Sequence, residues 1–191
     1  KRKIDPKQFY FAEKFKEFAN SHKQTFDDRV LEEPRIVIPL YRNKNLTGFQ
    51  GRSLKKNSIK YITIMLDEDE PKIYGLDDIN KELPVFVVEG PFDSTFLNNS
   101  VALCGSDGDV RCLAGNDLIF VYDNEPRNRE IVRRIEGCIG RKEKVVIWPS
   151  NITEKDINDM VLAGHDVQSL VESNTYKGLE AQLKFNDWKK V

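Results

Sequence analysis

Two short apolar runs in this chain of 191 residues each end in carboxylates: Pro84-Val85-Phe86-Val87-Val88-Glu89-Gly90-Pro91-Phe92-Asp93, and Asp117-Leu118-Ile119-Phe120-Val121-Tyr122-Asp123-Asn124-Glu125. Uninterrupted runs of β-branched and aromatic residues suit strands buried on both faces of a parallel sheet, and ligands gather beyond the carboxyl ends of such strands. Glu89, Asp93, Asp123 and Glu125 would then share one sheet edge. Like charges at close range repel, so their ionised forms require a cation, and hard oxygen donors suit Mg²⁺ or Mn²⁺. Asp123 and Glu125 lie one residue apart, so on extended backbone their side chains point the same way and reach one ion. Asp156 and Asp159 follow a third apolar run, Lys144-Val145-Val146-Ile147-Trp148-Pro149. Helix N-capping is the structural alternative for Asp93 and for Asp156. The chemistry in view is metal-dependent work on phosphate.

Elements that would hold these acids can be read from periodicity. Phe92 to Leu97 reads as a short helix and Val101-Ala102-Leu103-Cys104 as a short strand. Ile131, Val132, Ile135, Cys138 and Ile139 mark the apolar face of a helix opened by Pro126 and stopped by Gly140. A helix around Met160 to Ala163 follows. Strands alternating with helices imply an α/β layer with a mostly parallel sheet and right-handed crossovers. Upstream, Phe11, Phe15, Phe18 and His22 fall on one helical face. Arg35-Ile36-Val37-Ile38-Pro39-Leu40-Tyr41 and Gly48-Phe49-Gln50-Gly51-Arg52 flank a polar turn at 42–47 and read as a β-hairpin, with Lys60 to Leu66 as a further strand. An acidic stretch, Asp67-Glu68-Asp69-Glu70-Pro71, opens a boundary region at 67–83. The expected fold class is α/β (α+β overall). It comprises a basic mixed α/β subdomain over 1–75, a parallel-sheet domain flanked by helices over 76–170, and a C-terminal helical segment over 171–191 with Tyr176, Leu179 and Leu183 on its apolar face and Trp188 nearby.

Charge divides the chain in the same way. Residues 1–66 carry 15 Lys plus Arg against 7 Asp plus Glu, and the remainder 15 against 24, although the whole chain is nearly neutral at −1. That split points to a polyanion surface in the first part and a cation site in the second, with solvated faces as the bland alternative. With 39% hydrophobic and 32% charged residues the composition is that of a soluble globular protein. No run approaches the roughly 20 apolar residues of a membrane span, and no leader pattern opens the chain, so a cytoplasmic location is expected. Cys104, Cys112 and Cys138 are odd in number and form no Cys-x-x-Cys pair, which argues against zinc. A start at Lys1 rather than Met suggests a fragment or a processed chain.

Glu89-Gly90-Pro91-Phe92-Asp93 and Asp123-Asn124-Glu125 resemble the E-G-x-x-D and D-x-D signatures of the TOPRIM domain, shared by primases, type IA and II topoisomerases and certain nucleases. Arg35-Ile36-Val37-Ile38-Pro39, Gly48-Phe49-Gln50-Gly51-Arg52, Lys60-Tyr61 and Tyr74-Gly75-Leu76 resemble, in order, the basic subdomain that precedes TOPRIM in the bacterial and phage primase core. The resemblance covers roughly residues 30–165 and is to the core without the zinc-binding domain that usually precedes it. It implies a DNA primase, a nucleotidyltransferase that copies single-stranded DNA into short RNA primers for lagging-strand replication. Glu89, Asp123 and Glu125 would be catalytic and hold two Mg²⁺ (or Mn²⁺) ions, with Asp93 and Asp156 adjoining them.

Arg52 and Lys60, with Arg42, Lys55 and Lys56, would grip template or triphosphate phosphates, and Arg127 and Arg129 would reach a triphosphate. Single-stranded DNA, ribonucleoside triphosphates, a replicative helicase of the primosome and single-stranded DNA-binding protein are the implied partners, with no membrane. The sequence departs from the family pattern in having Glu125 for the second acid of D-x-D. In Lys155-Asp156-Ile157-Asn158-Asp159, either Asn158 or Asp159 takes the last acidic position. A TOPRIM nuclease and a non-catalytic single-stranded DNA-binding module are the alternatives. A topoisomerase would need a tyrosine nucleophile on further domains.

Overall fold

The computed structural model describes residues 9–105 and 109–191, and they form two compact units of mixed α/β structure. One unit holds residues 9–78 and Leu103–Cys112, and the other Ile79–Ala102 and Leu113–Val191.

The first unit is built on an antiparallel sheet of β1 (Tyr10–Ala12), β2 (Arg35–Arg42), β3 (Asn45–Ser53) and β4 (Tyr61–Met65), in that order, with α1 (Phe15–His22) packed on it and a short β5 (Ile73–Tyr74) following. The hairpin expected from the sequence is β2–β3. Its turn is tighter than 42–47: only Asn43 and Lys44 intervene, both with positive φ, 51° and 65°. Two successive left-handed residues match the right-handed twist of the strands they join. The Asp77 carboxylate fastens the turn, accepting from the Asn43 and Lys44 amides at 2.8 and 2.6 Å.

Phe11 corrects the expected helix. It lies in β1, exposed, because α1 begins only at Phe15, and the helix buries Phe15 and Ala19 against Val37, Phe49 and Ile64. Phe15 and Phe18 each meet Phe49 edge to face. Packing leaves no room for a side chain at Gly51: a Cβ there would stand 2.3 Å from Phe15 Cζ. Arg35 completes this corner, pairing with the Glu33 carboxylate, donating from Nη1 to the Gly51 carbonyl at 2.8 Å and lying over the Phe15 ring.

The second unit contains four parallel strands and one antiparallel neighbour, ordered β10-β9-β8-β6-β7. They are β6 (Val85–Val88), β7 (Ser100–Leu103), β8 (Leu118–Val121), β9 (Lys144–Val146) and β10 (Thr175–Tyr176). All four residues of β6 are buried, as continuous apolar runs in parallel sheets require. Helices α2 (Pro91–Ser94), α3 (Arg129–Gly140), α4 (Ile157–Leu162), α5 (Val167–Ser173) and α6 (Gly178–Trp188) complete the unit. The stripe Ile131, Val132, Ile135, Cys138 and Ile139 is the buried face of α3. Its N-cap is Asn128, whose side chain accepts from the Glu130 amide, so Pro126 lies in the preceding turn rather than at the first helical position. The helix ends at Gly140, as expected, with Arg141 as its C-cap, and the left-handed residue that follows is Lys142 rather than a glycine.

The tail helix exists but turns another face inward. Ala181, Phe185 and Trp188 are buried, whereas Leu179 and Leu183 are 76% and 58% exposed. Among the described residues no helix is long and apolar enough to cross a membrane.

Candidate metal centre

Register brings the acid-bearing strand ends together. Val88 of β6 pairs with Val121 of β8, so the chain leaves both strands at the same edge, with Glu89 one residue beyond β6 and Asp123 two beyond β8. Gly90 then caps α2 and Pro91 opens it, which puts Asp93 in the first turn rather than at the N-cap. A methyl group at position 90 would stand 3.0 Å from Asp93 Oδ2, so the glycine keeps that carboxylate uncrowded. Asp156 does cap a helix: its Oδ1 accepts from the Asp159 amide at 2.7 Å at the start of α4.

Electrostatics tie four of these acids into one cluster. Burial first, then the Asp123 charge, pushes Glu89 up to about 7 against the partial relief given by Arg134. Burial, Asp156 and Asp123, in that order, push Asp93 up to about 7. Burial and like charge together outweigh the one cation that reaches Glu89, so these acids favour further positive charge.

Asp123 and Glu125 do not lie on extended backbone. The Glu125 amide bonds back to the Asp123 carbonyl at 2.9 Å and the Asn124 amide to the Lys155 carbonyl at 2.6 Å, so the chain bends at this point. Glu125 is engaged by Lys155 Nζ at 3.3 Å and by Asn128 Nδ2 at 3.2 Å. Glu89 accepts from Arg134 Nη1 at 3.0 Å. Sequence reasoning missed both cations, since they lie 45 and 30 residues from the acids they meet and no local pattern marks them. Among the described residues no group of three or more His, Cys, Asp or Glu is arranged to hold an ion directly. The ion pairs and the Asp156 cap are what already engage these carboxylates.

Asn158 and Asp159 separate clearly. Asn158 is 8% exposed, and its Oδ1 is buried without a hydrogen-bond partner, whereas Asp159 is exposed. A buried amide oxygen without a partner is costly unless an electropositive group meets it.

The basic residues fall into separate groups. Arg52 Nη1 donates to the Tyr61 hydroxyl at 2.6 Å, and the Arg52 and Lys60 cations lie 5.3 and 5.5 Å from the Tyr61 ring centroid. Lys55 and Lys56 sit exposed in the adjoining β3–β4 loop. Arg42 lies at the other end of the hairpin, opposite Asn45 and 3.9 Å from the Glu70 carboxylate, about 23 Å away along β3 at roughly 3.3 Å per residue. In the other unit, Arg127 is exposed in the turn after Glu125, and Arg129 is the exposed first residue of α3.

The raised acids carry a stability consequence. Glu89 has an ordinary value of 4.5 and a folded value of about 7, so between those limits the folded protein keeps a proton that the unfolded chain has lost. Stability contributed by this proton is present below pH 4.5 and declines as pH rises through 7, by about 3 kcal/mol for this group. Asp93 acts in the same direction. Metal-free protein should therefore melt several degrees lower at pH 8 than at pH 5 in the presence of chelator. A flat thermal-unfolding profile across that range would refute the burial of these acids.

The fold is that of the primase catalytic cores. Its architecture matches a crystal structure of the Aquifex aeolicus primase containing the zinc-binding and RNA polymerase domains, with a TM-score of 0.67 and 20% identity over 95% of this chain and 55% of that one. It also matches a primase catalytic domain bound to single-stranded DNA, with a TM-score of 0.58 and 22% identity over 80% and 55% of the two chains. No protein-family model matches the chain. In sequence it is 33% identical over 193 aligned positions to the DNA primase of Enterobacteria phage T4, 97% of this chain and 56% of that protein. In sequence the chain is thus similar to the primase of a T4-like phage and in fold to the primase catalytic cores, the likeness that the motif resemblance implied. It spans about half the length of the T4 relative.

Proposed function

We propose that this chain is the polymerising core of a primase, an enzyme that copies single-stranded DNA into short RNA primers from ribonucleoside triphosphates. The observation that carries the reading is the set of half-buried, mutually repelling acids beyond the ends of β6 and β8, with Glu89 and Asp93 pushed up to about 7. A centre of this kind is completed by positive charge, and its oxygen donors suit Mg²⁺ or Mn²⁺. The unpartnered Asn158 Oδ1 fits the same demand. What two divalent ions supply there is neutralisation of the attacking 3′-hydroxyl oxygen and of the departing pyrophosphate.

Glu89, Asp123 and Glu125 hold the ions, and Asp93 and Asp156 adjoin them. Asn158, buried beside these acids, takes the last position of the family pattern in preference to the exposed Asp159. A neutral amide there leaves the centre one negative charge short of a carboxylate set. Arg52 and Lys60, grouped on Tyr61, grip nucleic-acid phosphates, with Lys55 and Lys56 beside them. Arg42 serves the far end of the hairpin. Arg127 and Arg129, close in sequence to the metal-holding turn, serve a triphosphate. Single-stranded DNA and ribonucleoside triphosphates are the substrates, a replicative helicase and single-stranded DNA-binding protein the partners, and the cytoplasm the place of work.

Incubation with single-stranded DNA, Mg²⁺ and labelled ribonucleotides, followed by sizing of products, tests the reading. Ladders of short RNA are expected. Metal-dependent nicking without ribonucleotides would assign a TOPRIM nuclease instead, and binding without either reaction a non-catalytic module. The Arg52→Ala change should weaken single-stranded DNA binding about equally across sequences and reduce the salt slope of the binding constant by about 1. Fluorescence-anisotropy titrations at several salt concentrations check this, and an unchanged slope would remove Arg52 from the phosphate contacts.

A further inference from the structure

Arg134 bridges two acids. Its Nη1 donates to Glu89 Oε1 at 3.0 Å and its Nη2 to Glu130 Oε1 at 2.6 Å. Glu130 lies one helical turn earlier on α3, the spacing at which side chains of a helix meet, so it fixes where the guanidinium points. The Arg134 and Glu89 side chains are 34% and 24% exposed, which shelters this pair from water more than a surface ion pair. Glu89 therefore already has a cation from its own chain on one of its two carboxylate oxygens.

We propose that Arg134 is a resident counter-ion of the metal centre: it holds the Glu89 carboxylate in place while no divalent ion is bound, and yields that oxygen when one binds. The inference rests on the metal-centre reading above. A guanidinium and a divalent cation compete for one carboxylate and repel each other across the few ångströms between them. The intrinsic affinity of the centre is then lower than its carboxylates alone would give, so ions occupy it readily only together with a second anionic ligand such as a triphosphate.

Lys155 stands in a similar relation to Glu125, at 3.3 Å, but with 55% of its side chain exposed. Solvent screening makes its influence smaller. The two cations thus provide an internal comparison.

Mn²⁺ binding to the whole chain after chelator treatment, followed by electron paramagnetic resonance of the free ion at about pH 8, tests the proposal without recourse to activity. The Arg134→Gln change should tighten Mn²⁺ binding about tenfold, whereas Arg134→Lys, which keeps the charge, should stay within about threefold of wild type. Lys155→Gln should tighten binding by less than about threefold. Unfolding midpoints measured on the same samples establish that each variant is folded, and Arg134→Met, which also removes the charge and should tighten binding to a similar extent, takes the place of Arg134→Gln should that variant not fold. Unchanged or weaker Mn²⁺ binding by folded Arg134→Gln, or by Arg134→Met in its place, overturns the counter-ion. The Glu89→Gln change separates the two ideas. Wild-type Mn²⁺ binding by that variant would defeat the metal-centre reading itself, while loss of binding there with no gain in Arg134→Gln would defeat only the role given to Arg134.

Discussion

Replacing Glu89 by glutamine should abolish primer synthesis, a loss at least on the order of a hundredfold, while single-stranded DNA binding changes by less than about twofold. Loss of a supporting group around a metal typically costs about 10- to 100-fold, and loss of a ligand's charge costs at least the upper end of that range. The substitution is nearly isosteric, and a glutamine carbonyl can still accept from Arg134, whose present bond to Glu89 is 3.0 Å. Folding is expected to survive. The variant should even gain stability at pH 8, because above pH 7 the wild-type carboxyl, pushed up to about 7 by burial and by Asp123, is ionised in a setting that disfavours its charge, whereas an amide carries none. Primer extension and thermal unfolding on the same preparation distinguish a chemical defect from a folding defect. Synthesis at the wild-type rate would remove Glu89 from the catalytic set.

The Arg35→Met change should cost about 3–5 kcal/mol, because it strands a carboxylate that the fold has removed from water. Arg35 has only 3% of its side chain exposed and faces Glu33, the Gly51 carbonyl and the Phe15 ring. Burial acts to raise Glu33, and the Ser58 hydroxyl and the Arg35 guanidinium outweigh it to hold the carboxyl below its ordinary range. Ser58 Oγ donates to Glu33 at 2.5 Å, which ties the β3–β4 loop that carries Lys55, Lys56 and Lys60 to the same corner. Phosphate binding should therefore weaken along with stability. The double change Arg35→Met with Glu33→Gln should recover much of the loss, since it leaves no unpaired buried charge. Urea unfolding of the single and double variants measures both effects, and a cost below about 1 kcal/mol for Arg35→Met would refute the buried pair.

Much of the acid-bearing half was legible in the chain. The runs at 85–88 and 118–121 are apolar at every position, a pattern that needs a sheet covered on both faces, and a carboxylate directly after such a run has to lie at its edge. The stripe on α3 and the β2–β3 hairpin were equally open to reading, since helical spacing and turn residues are local properties. Asp156 as an N-cap belongs with them.

Other features were decided only by tertiary structure. The same apolar residues of the tail allow more than one buried face, and contact of α6 with α3 and β9 selected Ala181, Phe185 and Trp188 over Leu179 and Leu183. Phe11 suits the face of α1 by spacing, yet pairing with Ile36 of β2 draws it into a strand. The bend at Asn124 combines a local bond from the Glu125 amide to the Asp123 carbonyl with a backbone bond to Lys155, far along the chain. Arg134 and Lys155 meet their acids across 45 and 30 residues. Sequence determined which strands end in acids and which edge those acids share, because periodicity and strand ends are short-range. Tertiary structure alone decided which cations lie on those acids, because charge pairing follows distance in space.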